Sequence, residues 1–245
     1  MVKVCVLQSD NRPNLNYLLK TQEVNKKFCD ILQYDYLFIE MNDANHNILN
    51  TNNNKITNIH PATKKINIVN DFLQNTKYDI LVFLDSDAWI QNGYWLNDII
   101  NNLINNEKKQ GCFSRDPYVM KNTFINSGSF ILKNNDFIKE MYKNIIIDLH
   151  NNNKYHNKWP YDQYYISKYI FNNKEQFNIF IPDVLNTPIG TVLRHNWLKN
   201  KKMYDDLKNL LCDINKDLNT CFNEEKYYDE KDFPNKIQNG YEYFS

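Results

Sequence analysis

Residues Lys77 to Ile90 read KYDILVFLDSDAWI: five apolar residues, ILVFL, run straight into two aspartates, Asp85 and Asp87, separated by one serine. An apolar run of that length bounded by polar residues is a buried strand. In an open α/β sheet, ligands gather beyond the carboxyl ends of the strands, and Asp85 and Asp87 fall there. Their position therefore says more than their identity. Two carboxylates at i and i+2 past a strand end project to the same side once the chain turns, and they offer hard oxygen ligands suited to Mg²⁺ or Mn²⁺. The competing reading is an Asx turn that closes the strand and happens to be acidic.

The flanking sequence supplies a frame for that strand. VKVCVLQS reads as a first buried strand, NLNYLLKTQEVNKKFCDILQ as a helix through Leu15, Leu18, Leu19, Val24, Phe28, Ile31 and Leu32, and YLFIEM as a second strand. Strand, helix, strand implies a right-handed βαβ unit and a parallel sheet. The segment NDANHNILNTNNNKITN reads as an Asn-rich surface loop. PATKKINIVNDFLQNT opens with Pro61 and repeats apolar residues at Ile66, Val69, Phe72 and Leu73, so a helix feeds the Asp-bearing strand. Downstream, YWLNDIINNLINNEKK, NDFIKEMYKNIIIDLH and YDQYYISKYIF read as helices; GCFSR, SGSFILK and FNIFIPD read as strands, with GTVLRHNW extended. From about Leu198 onward the chain is charged and Tyr-rich, a short helix plus a tail.

With 245 residues, 42% hydrophobic and 14% aromatic, the chain can bury one substantial core, and one α/β domain is the simplest organisation. Lys+Arg and Asp+Glu are both 29, so no global field draws the protein to nucleic acid or an anionic membrane, and a charged ligand must be held locally. No stretch approaches the roughly 20 apolar residues of a membrane span. Five scattered cysteines without a C-x-x-C argue against a disulfide framework and a structural zinc, and no N-x-S/T triplet occurs, so the expected location is cytoplasmic. Abundant Asn, Lys, Ile and Tyr beside only three arginines is the bias of an AT-rich genome, as in a large DNA virus, an AT-rich protist or a bacterium; a viral chain would act in the host cytoplasm or the virion.

HPATKKINIVNDFLQNTKYDILVFLDSDAWI, then NSGSFILKN, then WPYDQYYIS, then a late RHNW together resemble the ordered landmarks of metal-dependent GT-A glycosyltransferases. They are most similar to the retaining family of fungal Golgi galactosyl- and mannosyltransferases and plant xyloglucan xylosyltransferases. The resemblance spans roughly Val2 to Trp197 and is most specific in the middle third. It implies a GT-A-like single α/β domain over residues 1–245, with a Rossmann-like, mostly parallel sheet and a small antiparallel portion in the C-terminal half. Residues 1–110 would bind the nucleotide sugar, 111–197 the donor sugar and acceptor, and 198–245 form an extension.

Carried over position by position, the resemblance implies that Asp87 and His195 ligate the metal, Mn²⁺ with Mg²⁺ as the alternative, and that Asp85 joins them or contacts the ribose or a metal-bound water. Ser86 of the same motif, with Gln8, Ser9 and Asp10 after the first strand, would contact base or ribose, and Arg12 and Arg194 the phosphates. Asn126, Ser127 and the Gly128 backbone would approach the donor sugar, Gly128 by having no side chain to block contact. Asp162 would bind the donor sugar and Gln163 lie beside the reacting anomeric carbon, while Trp159 and Tyr161 form either a sugar platform or core packing. The implied reaction is transfer from a nucleoside diphosphate sugar, UDP before GDP, to a hydroxyl of a glycan, glycolipid or glycoprotein. The resemblance favours retention, in which the departing phosphate itself can accept the acceptor's proton; inversion would need a carboxylate base on the opposite face.

Three rivals belong to other classes. A haloacid-dehalogenase-type phosphatase would use Asp85 as nucleophile, but its motif ordinarily lies near the N-terminus and is followed by Thr, not by Ala88 and Trp89. A sugar-nucleotide pyrophosphorylase needs a Gly-rich N-terminal loop, which VCVLQSDNRPN lacks. A non-catalytic glycan-binding protein needs no joint Asp85, Asp87 and His195.

Overall fold

A computed structural model describes residues 2–42, 48–50, 55–117, 124–198, 201, 204, 207 and 209–211. Its frame is a six-stranded sheet ordered β2-β1-β5-β8-β7-β9. β1 (Val4–Asp10) pairs in parallel with β2 (Asp35–Glu40) and β5 (Ile80–Leu84). β8 (Ile125–Lys133) runs antiparallel to both β5 and β7 (Gly111–Arg115), and β9 (Phe177–Phe180) lies parallel to β7. The expected α/β domain with a mostly parallel sheet and an antiparallel portion is thus the architecture found.

β1 and β5 are buried on both faces, which is why they read as unbroken apolar runs instead of alternating ones. Their alternate residues divide between two cores. Val4, Val6, Ile80, Val82 and Leu84 pack under α1 (Asn16–Leu32) and α3 (Gly93–Asn105), through Val24, Phe28, Leu96 and Ile100. Cys5, Leu7, Leu81 and Phe83 pack under α2 (Pro61–Asn75), α4 (Asp136–Asn151) and α5 (Asp162–Asn172), through Ile66, Val69, Ile138 and Ile166. Capping fixes where several helices start. Asn92 accepts from Trp95 N at 3.0 Å and Asn135 from Ile138 N at 3.1 Å, while Pro61 sits at the first turn of α2.

Several readings change. The Asn-rich segment contains a short antiparallel hairpin, β3 (Ile48–Asn50) with β4 (Lys55–Thr57), in which Leu49 stands opposite Ile56 in the register. The three residues after the aspartates form a further strand, β6 (Ala88–Ile90), paired antiparallel with β10 (Leu193–His195). A one-turn helix, α6 (Pro182–Leu185), precedes β10. In the C-terminal stretch, Tyr204, Leu207 and Leu210 are buried in the core beneath α1, three residues apart as a helix face requires. Cys5, Cys29 and Cys112 are buried free thiols, and burial pushes Cys5 and Cys112 up to about 12; Cys212 and Cys221 lie outside the described residues. Among the described residues no helix is long and apolar enough to cross a membrane.

Candidate active site

The Asp85–Asp87 turn leaves the carboxyl end of β5 and closes tightly, Ala88 N donating to Asp85 O at 2.9 Å. Strand pairing then explains how a histidine more than a hundred residues later reaches it. β10 lies against β6 with His195 opposite Ala88, and Asn196 N donates to Asp87 O at 2.9 Å. His195 Nε2 consequently stands 3.2 Å from Asp87 Oδ1 and 3.8 Å from Asp85 Oδ2. One ligand atom from each of Asp85, Asp87 and His195 lies within 4.8 Å of the others. Two carboxylate oxygens and one imidazole nitrogen suit Mn²⁺, and three protein ligands leave positions open for phosphate oxygens. The donor set fits the expected cation.

Gly128 shapes this cluster from the neighbouring strand. Its carbonyl accepts from Asp85 N at 2.7 Å, and a Cβ there would overlap Nδ1 and Cε1 of His195. The glycine therefore makes room for the imidazole, a cause the sequence reading did not consider. Nδ1, packed on Gly128, has no hydrogen-bond partner among the described residues, so Nε2 is the nitrogen that meets the carboxylates.

Lys65, 3% exposed on α2, joins the turn to the rest of the site. Its Nζ is 2.8 Å from Asp85 Oδ1 and 3.2 Å from Asp162 Oδ2, and donates to Ser127 O at 2.9 Å. Ser127 Oγ in turn donates to Asp162 Oδ2 at 2.5 Å. Burial alone would pull the Lys65 ammonium down; Asp162 and Asp85 outweigh it and hold it above its ordinary value. Burial pushes the Asp85 carboxyl up to about 6, against the pull of Lys65 and His195 and with the repulsion of Asp87 and Asp162. His195 would be lowered by burial, but Asp87 and then Asp85 raise it.

Beside this cluster opens a cavity of about 370 Å³ lined by Asp85, Ser127, Gly128, Asp162 and His195, and also by Asn126, Gln163 and Asp116. Asp162 sits in the first turn of α5, set there by Tyr161, which adopts φ 51° in the left-handed region and stacks on His60 at 4.2 Å. Asp116 Oδ2 accepts from Asn126 Nδ2 at 3.4 Å and Gln163 Nε2 at 3.3 Å.

The proposed nucleotide contacts separate. Asp10 and Arg12 form a bidentate pair at 3.0 and 3.1 Å, with Arg12 half exposed and close enough for Asp87 to raise its pKa after Asp10 has done most of it. Ser86 neighbours Tyr17 at the same edge. Gln8, by contrast, is fully buried: its Nε2 donates to Asp85 O at 3.0 Å and Ala88 O at 3.2 Å, and its Oε1 accepts from Asn25 and Tyr36. It offers no surface to a base and braces the turn from behind. Ser9 is buried toward the opposite core. Arg194, one residue from His195 on a strand, points the other way and donates Nε to Gly190 O at 3.1 Å, outside the cavity.

Sequence reasoning missed Lys65, Asp116 and Asn25. Each carried a signal. Lys65 shares the buried stripe of Val69 and Phe72 at i+4 and i+7, Asn25 falls on the buried face of α1 with Leu18 and Phe28, and Asp116 directly follows a strand's carboxyl end.

A doubly covered, mostly parallel sheet with an Asp-Ser-Asp turn and a histidine converging at its carboxyl edge defines a GT-A-type glycosyltransferase. The sequence matches the family model described as "Glycosyl transferase family 2" over residues 46–200, and the chain belongs to that family. No curated protein matches it closely enough to be called a relative. Among solved structures, a glycosyltransferase involved in the glycosylation of the major capsid of PBCV-1 superposes with a TM-score of 0.62 at 16% identity, covering 84% of this chain and 99% of that one. The apo form of the glycosyltransferase GlyE of Streptococcus pneumoniae TIGR4 gives 0.56 at 12% identity, over 93% of this chain and 65% of that one. At such identities these two attest to the fold. The phosphatase, pyrophosphorylase and non-catalytic alternatives give way to a glycosyltransferase.

Proposed function

We propose that the chain transfers a sugar from a nucleoside diphosphate sugar, a UDP-sugar before a GDP-sugar, to a hydroxyl of an acceptor glycan, glycolipid or glycoprotein. The observation that carries this reading is the convergence of Asp85, Asp87 and His195 donor atoms within 4.8 Å at a strand end, beside a cavity that Asp85 and His195 help to line. These residues would hold Mn²⁺, with Mg²⁺ as the alternative. Such a cation supplies charge neutralisation at the leaving diphosphate. Asp10, Arg12 and Ser86, along the edge next to Asp87, would receive the nucleoside. Asp162, fixed by Lys65 and Ser127, would orient the donor sugar's hydroxyls, with Gln163 on the reacting side.

Retention is the stereochemical course we favour, on the resemblance to the retaining galactosyl-, mannosyl- and xylosyltransferases and because Asp162 is already held by Lys65 and Ser127. One observation favours inversion instead: Asp116, which accepts from Gln163 at 3.3 Å, adds a further carboxylate to the cavity lining, and a carboxylate is the base that inversion needs. We place the reaction in the cytoplasm, supported by three buried cysteines that are free.

The test is to incubate the purified protein with UDP- and GDP-sugars, with and without Mn²⁺, and to follow release of the diphosphate. Mn²⁺-dependent release from one donor is expected. No release from any donor, together with no Mn²⁺ binding, would end the proposal. The anomeric proton coupling of the product by NMR then decides between retention and inversion.

A further inference from the structure

We infer that Trp159 is the platform on which a pyranose ring of the acceptor stacks, so that the acceptor is a carbohydrate at the point of transfer. This rests on the glycosyltransferase reading above and narrows its acceptor. Seven large apolar side chains are exposed among the described residues: Val2, Leu19, Leu37, Ile147, Trp159, Ile189 and Leu198. Trp159 alone among them lines the cavity beside the Asp85 cluster. At 59% exposure its ring is not core packing.

The backbone beneath the ring is anchored although the ring itself is open. Pro160 is buried, Tyr161 N donates to Lys158 O at 3.0 Å, and Gln163 N donates to Pro160 O at 3.1 Å. Phe124 supports the indole at a centroid distance of 6.1 Å and a tilt of 36°. An aromatic ring held out over the cavity on an anchored backbone loses little conformational entropy when a ligand covers it. Tyr161 does not share the role, because its ring is already stacked on His60 at 4.2 Å.

The wall around the platform selects the ligand. A pyranose presents one face of C–H bonds, whose partial positive charge matches the negative face of an indole, and a rim of hydroxyls. Asn126, Asp116 and Gln163 line the same cavity and offer amide and carboxylate partners for that rim. Among the described residues Trp159 is the one exposed large apolar side chain in the lining, and a serine or threonine hydroxyl has no face to stack on it. Trp197 lines the other side, edge-on to His195 at 5.5 Å, and belongs to the metal side of the cavity.

The experiment follows tryptophan emission of the Mn²⁺- and UDP-loaded protein during titration with methyl β-D-galactopyranoside, methyl β-D-glucopyranoside and methyl α-D-mannopyranoside, with N-acetylserinamide as the ringless control. At least one glycoside is expected to shift the emission of the wild type and not that of Trp159→Phe, and the control to shift neither. In transfer assays, Trp159→Ala should raise the acceptor KM about tenfold while the donor KM moves less than about twofold, and Trp159→Phe should recover most of the loss. Trp159→Ala should melt within about 2 °C of the wild type, since the ring buries little. If the wild type releases diphosphate from a donor but no glycoside shifts its emission, or Trp159→Phe shifts equally, this inference is wrong and the glycosyltransferase reading stands. If the wild type releases none and binds no Mn²⁺, both fall.

Discussion

The Asp85–Asp87 turn has two sides that are held by different physics. Behind it, neutral groups grip the backbone: Gln8 reaches Asp85 O and Ala88 O, Thr21 reaches Ser86 O, and Asn25 takes both Ala88 O and Ile90 N. In front, charged groups grip the side chains: Lys65 on Asp85 and Asp162, His195 on Asp87. The rear network fixes where the carboxylates start, and the front cluster is arranged around charge that a ligand brings or removes. Changes on the front side should therefore be read in metal affinity and in the stability of its buried ion pairs, and changes behind in stability with little effect on the metal.

The largest effect is expected at the centre of the front side. Lys65→Met leaves Asp85 and Asp162 facing one another without their shared buried cation, and breaking a buried pair from one side costs about 3–5 kcal/mol. Denaturant unfolding measures it; unchanged stability would mean that the two carboxylates do not depend on the lysine. Next comes Asp87→Ala, expected to cut turnover by about 10³-fold and to abolish Mn²⁺ binding in calorimetry while the fold stays intact by circular dichroism. Retained Mn²⁺ binding would move the metal away from this turn. Gly128→Ala should follow, because its methyl group would overlap the His195 ring and must displace it. Mn²⁺ affinity should fall about 10–100-fold, as for other losses of ligand orientation. An unaltered affinity would remove His195 from the ligand set.

The same two sides explain what was legible in the sequence. The candidate ligands in front could be read because β5 is an unbroken apolar run ending in carboxylates, and because NSGSF, YDQ and RHNW follow it in the order of the family it resembles. The fold followed from ILVFL and VCVLQSD, whose double-sided burial excludes any other use of so many consecutive apolar residues. The rear side was not legible as such. Gln8 carries the composition of a ligand contact, and only the pairing of β6 beside α1 turns its amide inward. β6 itself escaped notice because three residues of AWI become a strand only when β10, a hundred residues later, pairs with them. Trp159 stood beside Tyr161 in sequence with the same range of roles, and His60 separates them by stacking on one and leaving the other open.

The smallest predicted effect lies behind the turn. Thr21 Oγ1 stands 2.9 Å from Ser86 O and also 2.9 Å from Leu18 O, but a hydroxyl has one proton and donates to one acceptor at a time. The Leu18 carbonyl lies inside α1, whose regular ladder already supplies a backbone donor, whereas Ser86 O is in a buried turn with few donors in reach. The proton therefore belongs on Ser86. Thr21→Val keeps the shape and removes the donor, so stability should drop by about 1–2 kcal/mol in denaturant unfolding. Mn²⁺ affinity should fall by less than about threefold, since Gln8 and Asn25 still hold the carbonyls on either side. A loss of affinity as large as that of Gly128→Ala would erase the distinction between the two sides, because a neutral hydrogen bond on the backbone would then count as much at the metal as a ligand's own position.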